Sequence, residues 1–120
     1  PDLLTVSSDL IKERPDDVQK IVKTWWDVRE FMEKYPEKSE AIMAKRAGIP
    51  TEEYEQYKDG TRFFSIEENL EAFSAGEGMK FMPFAAKSMA DFMVSVGFIP
   101  QKPDKTKLFD DSFIKKVAAS

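Results

Sequence analysis

The chain has 120 residues, the length of one ordinary domain, with 42% hydrophobic and 33% charged residues and a formal net charge of −4. Its Lys and Arg residues are scattered in runs no longer than two, which argues against nucleic acid as a partner, because phosphate binding needs a clustered positive surface. With no Cys and no His, the chain cannot build a Cys–His pair, a Ser–His–Asp triad, a His/Cys zinc site or a His/Cys haem ligand set, so a non-enzymatic binding role without metal or cofactor is expected.

The N-terminal Pro1-Asp2-Leu3-Leu4 has neither the basic start nor the long apolar core of a signal peptide, and it has no initiator Met. A processed product or a cut piece of a longer protein is the expectation. No apolar run approaches the roughly 20 residues of a membrane span. The lack of Cys suits an exported protein without disulfides as well as a cytoplasmic one.

Leu3-Leu4-Thr5-Val6 reads as a strand that enters Ser7-Ser8, a capping pair, and residues 9–13 as a helical turn. Pro15 suits the first position of a longer helix, with Asp16 and Asp17 near its positive end. That helix should run to Tyr35, because Val18, Ile21, Val22, Trp25, Val28, Phe31 or Met32, and Tyr35 recur at steps of three and four. Trp25 lies on this apolar stripe and is expected in the core. Trp26 is expected to cover the stripe's edge or to anchor an interface.

Pro36 interrupts the pattern, and residues 39–47 should form the next helix, ended by Gly48. Pro50-Thr51-Glu52-Glu53 starts another, with Thr51 expected as its cap, and Lys58-Asp59-Gly60 stops it. Thr61-Arg62-Phe63-Phe64 should be extended. Ser65 and Glu68 then match the S-x-x-E capping box ahead of Leu70 and Phe73. Ser74-Ala75-Gly76-Glu77-Gly78 reads as a linker.

Residues 81–96 form the most apolar helix, with Phe81, Ala85, Met89, Phe92, Met93 and Val96 expected on one buried face. Gly97 should end it, with Phe98 folding back on the last turn. A polar loop over residues 100–104 is followed by a last short helix that Phe109-Asp110-Asp111-Ser112-Phe113 opens and that runs through Ala118. The fold class expected for the chain as it stands is mainly α, six or seven helices plus one N-terminal strand. There is no internal repeat and no sustained heptad pattern. A lone strand cannot satisfy its own N–H and C=O groups. It needs a second chain, or a sheet encoded upstream.

Three clusters invite chemistry. A calcium loop with Gly60 at its sixth position would put Glu55 first, Tyr57 third, Phe63 ninth and Ile66 twelfth, where calcium requires oxygen donors and above all a carboxylate at the twelfth. A turn followed by a capped helix accounts for the same residues. The carboxylates Glu52, Glu53, Glu55, Asp59, Glu67, Glu68, Glu71 and Glu77 could in principle supply an acid–base pair, but helical spacing makes them a solvated face. The most ligand-like group is Arg62 with Phe63 and Phe64, since a guanidinium beside aromatic rings suits an anionic or flat ligand.

Leu4-Thr5-Val6-Ser7-Ser8-Asp9-Leu10-Ile11-Lys12-Glu13-Arg14-Pro15-Asp16-Asp17-Val18 resembles the solute-binding proteins of ABC importers, in the nitrate, sulfonate, taurine and thiamine-pyrimidine-precursor family. The resemblance continues through Pro36-Glu37-Lys38-Ser39-Glu40-Ala41, Gly48-Ile49-Pro50-Thr51-Glu52-Glu53-Tyr54, Phe63-Phe64-Ser65 before Glu68-Asn69, Met89-Ala90-Asp91-Phe92-Met93 with Gly97-Phe98-Ile99, and Leu108-Phe109-Asp110-Asp111-Ser112-Phe113. It spans essentially the whole chain and matches the C-terminal third or so of such a protein.

The resemblance implies the C-terminal segment, residues 1–120, of a two-lobed α/β fold of the periplasmic-binding-protein type 2 kind. In that fold the strand would add to a sheet and the helices would cover it. It implies a periplasmic or extracytoplasmic location, a small-molecule ligand in the full-length parent and an ABC permease as partner. The family's main ligand contacts come from upstream loops, so only Arg62, Phe63, Phe64 and Asn69 carry over as candidates. Two alternatives stand beside this reading. One is a self-contained helical module that forms a homodimer. The other is a fragment of a related pyrimidine-synthesis enzyme, whose His- and Cys-dependent chemistry this chain could not show.

Overall fold

The computed structural model describes residues 2–104 and 108–120 and shows a mainly helical chain. Its helices are α1 (Ser8–Glu13), α2 (Pro15–Lys34), α3 (Pro36–Ala47), α4 (Thr51–Lys58), α5 (Ile66–Phe73), α6 (Met82–Ser95) and α7 (Ser112–Ala118). The chain divides into two compact units, Pro1–Phe63 and Phe64–Ser120. Among the described residues no helix is long and apolar enough to cross a membrane.

The expected strand is not formed. Residues 3–6 are irregular, and Leu3 and Leu4 are exposed. The physical reason is the one that made a lone strand awkward: no other strand exists among the described residues to receive its hydrogen bonds.

In the first unit, each of two junctions turns the chain in a single residue. Arg14 (φ −137°, ψ 53°) joins α1 to α2, and Tyr35 (φ −133°, ψ 64°) joins α2 to α3. Both precede proline, whose ring disfavours the α conformation in the residue before it and whose missing N–H costs nothing at the first helical position. Proline thus ends one helix and starts the next, which is why α3 begins at Pro36 and not at Ser39. Ser39 instead turns inward, and its hydroxyl donates to the Tyr35 carbonyl at 2.8 Å. The Arg14 guanidinium reaches Asp17 at 2.6 Å and holds that carboxyl below its usual range.

Helix α1 packs on α2, α2 on α3 and α3 on α4. The side chains that seal these contacts are small: Val18 and Ala44 are each 1% exposed. On α2 the inward face carries Val18, with Val22, Trp26, Arg29 and Met32 half-buried, while Ile21, Trp25 and Val28 are exposed. Trp25 is therefore a surface residue and Trp26 the more covered of the pair. Steps of three and four suit either stripe, and the corner at Tyr35 decides which of them α3 covers. At α4 the N-cap is Pro50, in extended conformation, and Thr51 is the first helical residue.

Helix α3 and helix α6 stop by the same backbone device. Gly48 (φ 75°) lets its own N–H reach Lys45 O and Ile49 N–H reach Ala44 O. Gly97 (φ 76°) lets its N–H reach Val94 O and Phe98 N–H reach Met93 O. This left-handed turn, which only glycine adopts without strain, satisfies the last carbonyls. The Phe98 side chain does not complete the motif, since it is exposed.

In the second unit α5 packs on both α6 and α7. The capping box is complete: Ser65 Oγ accepts from Glu68 N–H at 3.1 Å, and Glu68 Oε2 accepts from Ser65 N–H at 2.9 Å. Phe73 meets Phe109 edge-on at 6.0 Å, and Ala90, Phe113 and Ile114 are buried. The expected face of α6 is corrected here, because Met89, Phe92 and Val96 are exposed and Ala90 is the buried position. Helix α6 is apolar almost all round, so periodicity names no unique face, and the small Ala90 allows the closest approach of a neighbour. Asp91 bridges Lys87 (2.8 Å) on its own helix and Lys102 (2.6 Å) in the following loop.

Ser65→Ala removes one half of the capping box and should cost about 1 kcal/mol, read as a lower denaturation midpoint with unchanged helical signal at low denaturant. Hydrogen bonds from Lys102 and Lys87 hold the Asp91 carboxyl at about 2, below its ordinary 3.8. A depressed acid stabilises the fold above its unfolded pKa. The Asp91 contribution is therefore complete above pH 3.8 and lost as pH falls through about 2. A carboxyl-carbon NMR titration should show Asp91 still charged when ordinary carboxylates have protonated, and Asp91→Asn should flatten the acid limb of the stability curve.

Candidate functional site

The first unit carries a cleft of about 220 Å³ where α2, α3 and α4 meet. Helix α2 contributes Arg29, Met32 and Glu33, α3 contributes Pro36, Ser39, Glu40 and Met43, and α4 contributes Tyr54, Tyr57 and Lys58. Thr61 and Phe63 close it from the segment after α4.

The walls are aromatic and thioether surface, and the polar groups sit at defined points on them. The Arg29 guanidinium lies over the Phe63 ring, its carbon 4.3 Å from the ring centroid. Its side chain is only 17% exposed, and a terminal nitrogen makes a long 3.6 Å ion pair with Glu33, whose side chain is 73% exposed. Arg29 Nε is buried and has no hydrogen-bond partner among the described residues. On the other wall the Tyr54 hydroxyl donates to Met43 Sδ at 3.2 Å. A thioether is a weak acceptor, so this donor is poorly satisfied.

Glu40 is the buried charge of the cleft, 10% exposed at its side chain, and it is paired with Lys58 across α3 and α4. The hydrogen bond to Glu40, and then its charge, raise the Lys58 ammonium above its ordinary 10.5. Glu40 is thereby committed to holding α4 against α3. Among the described residues no three acidic side chains converge as a cation site would require.

The sequence candidates fall on both sides of the unit boundary. Arg62 and Phe63 belong to the first unit and Phe64 and Asn69 to the second. Of the first pair Phe63 lines the cleft, and the Arg29 guanidinium stacks on its ring. Phe64 is exposed, and Asn69 uses its side-chain amide to donate to the Ser65 carbonyl at 2.8 Å, within the start of α5. The sequence places Arg62 beside Phe63, and the fold adds the guanidinium of Arg29 over that ring. Arg29, Met43, Tyr54 and Tyr57 were missed. The i, i+3 spacing of Tyr54 and Tyr57 on one helix was the available signal.

Comparison of the chain with protein-family models, with curated proteins and with solved structures finds no match.

Removal of Lys58 leaves the Glu40 carboxylate buried without a counter-charge, whereas neutralising Glu40 leaves Lys58 able to turn to water. Lys58→Met should therefore lower the urea midpoint more than Glu40→Gln does. A raised lysine stabilises the fold fully below its unfolded pKa, so this pair should hold up to about pH 10.5 and fade as pH rises through the higher folded value, in the wild type and in neither variant.

Proposed function

We propose that this chain is the helical C-terminal part of the substrate-binding component of an ABC importer. In this reading the protein acts outside the cytoplasmic membrane, captures a small solute of the nitrate, sulfonate, taurine or pyrimidine type, and hands it to a permease. It binds and does not catalyse. The ordered series of motifs along the chain supports this reading, and one structural observation carries it. Two helices turn apolar side chains to solvent: Ile21, Trp25 and Val28 on α2 with Tyr35 at its C-cap, and Met89 and Phe92 on α6 with Val96 at its C-cap. Contiguous apolar stripes are costly to leave wet and mark surfaces that meet other protein. Helices that cover a sheet have this pattern.

A second reading also has an observation behind it. Ile21, Trp25, Val28 and Tyr35 follow one another at steps of four, three and seven, the spacing of a helix–helix seam. On that reading α2 pairs with a second copy, and the chain is a dimerising helical module.

The two separate in one experiment on the protein in its own cells, with a tag at the C-terminus. The importer reading expects a tagged species much heavier than this chain, in the extracytoplasmic fraction, that crosslinks to a membrane permease. A tagged species of this chain's own mass, cytoplasmic and crosslinking only to itself, would overturn it in favour of the dimeric module.

A further inference from the structure

We propose that the cleft between α2, α3 and α4 binds a single-ring aromatic anion, of which benzoate is the simplest probe. The site lies wholly within the unit Pro1–Phe63, and the inference stands independently of the transport reading.

Size sets the first limit. Pockets for drug-sized ligands span about 300–1,000 Å³, while an apolar cavity of about 150 Å³ suffices for benzene. At about 220 Å³ the cleft suits one ring with a small substituent. The walls set the second: Met43, Tyr54 and Phe63 offer polarizable and aromatic surface, which favours a flat unsaturated ring.

The polar groups set the third. Two donors on the lining lack a good acceptor, Arg29 Nε, which has none among the described residues, and the Tyr54 hydroxyl, which has only a thioether. Buried donors are normally satisfied, so one donor without a partner and a second held only by a thioether favour acceptor oxygens in this cleft. An anionic substituent supplies these. The 3.6 Å contact with Glu33 is long for an ion pair, and Glu33 is largely in water. A ligand carboxylate can displace it at small cost and form shorter, charge-assisted bonds with the guanidinium while Phe63 holds that group in place. Glu40 does not repel the anion as a bare charge would, because Lys58 neutralises it.

The test is a benzoate titration of the whole chain, followed by the NMR resonances of the Arg29 side chain, with acetate and benzyl alcohol as controls. Saturable binding is expected with a dissociation constant of roughly 1 mM, the scale open to so small a ligand. Acetate, which lacks the ring, and benzyl alcohol, which lacks the charge, should each bind at least about tenfold more weakly. Arg29→Lys keeps the charge but loses the planar fork and should weaken benzoate about tenfold. Tyr54→Phe keeps the ring and should weaken it about threefold. The proposal is overturned by absence of saturation, by equal response to acetate, or by unchanged affinity in Arg29→Lys. If Arg29→Lys does not fold, unchanged affinity in Tyr54→Phe overturns it.

Discussion

The corner at Tyr35 and Pro36 is the constraint on which the first unit depends. Proline forbids α2 from continuing, and Tyr35 turns the chain in one residue, so α3 must fold against the helix it has just left. The buried Ser39 hydroxyl bonds back to the Tyr35 carbonyl and secures the first turn of α3. From α3, Glu40 reaches Lys58 and Met43 accepts from the Tyr54 hydroxyl, and these contacts dock α4 on α3. The cleft is the space these three helices leave, and Arg29, Met32 and Glu33 are the α2 side chains that line it.

The buried side chains are mostly small and the exposed ones large. Val18, Ala44 and Ala90 are buried, whereas Trp25, Met89, Phe92 and Phe98 are exposed. Small residues let helix backbones approach closely but bury little apolar area, at about 25 cal/mol per Å². Units of about 60 residues are marginal even with full cores. Much of the apolar surface that could stabilise the chain therefore remains in water, and the stripes of α2 and α6 are where a partner would contribute most.

Ion pairs divide by span. Lys23–Asp27 and Lys87–Asp91 link neighbours on one exposed helix face, a class worth a few tenths of a kcal/mol each. Glu40–Lys58, Glu71–Lys80 and Asp91–Lys102 link separate elements and set their geometry. Only Glu40 is buried among these acids, and that one position combines a structural tie with control over the charge a ligand would meet.

The sequence by itself determined the helical class and nearly every helix boundary, because caps and breakers act within four residues of themselves. Ser7, Pro15, Gly48, the Ser65–Glu68 box and Gly97 each do in the fold what their local chemistry requires. Boundaries slipped where two local signals compete, as at Pro50 and Thr51, where proline both ends and begins a helix, as at Pro36, and at the last helix, which begins at Ser112 and not at Phe109. The strand at residues 3–6 was legible as a β-prone segment, but pairing is non-local, and no partner lies among the described residues. Tertiary structure alone decided which face of α2 and of α6 is buried, since helices with apolar residues on several faces satisfy the same period in more than one rotation. It alone brought Arg29 onto Phe63 and Lys58 onto Glu40, contacts between residues 34 and 18 positions apart in the chain, whose distance in space depends on how the helices turn and not on any local preference.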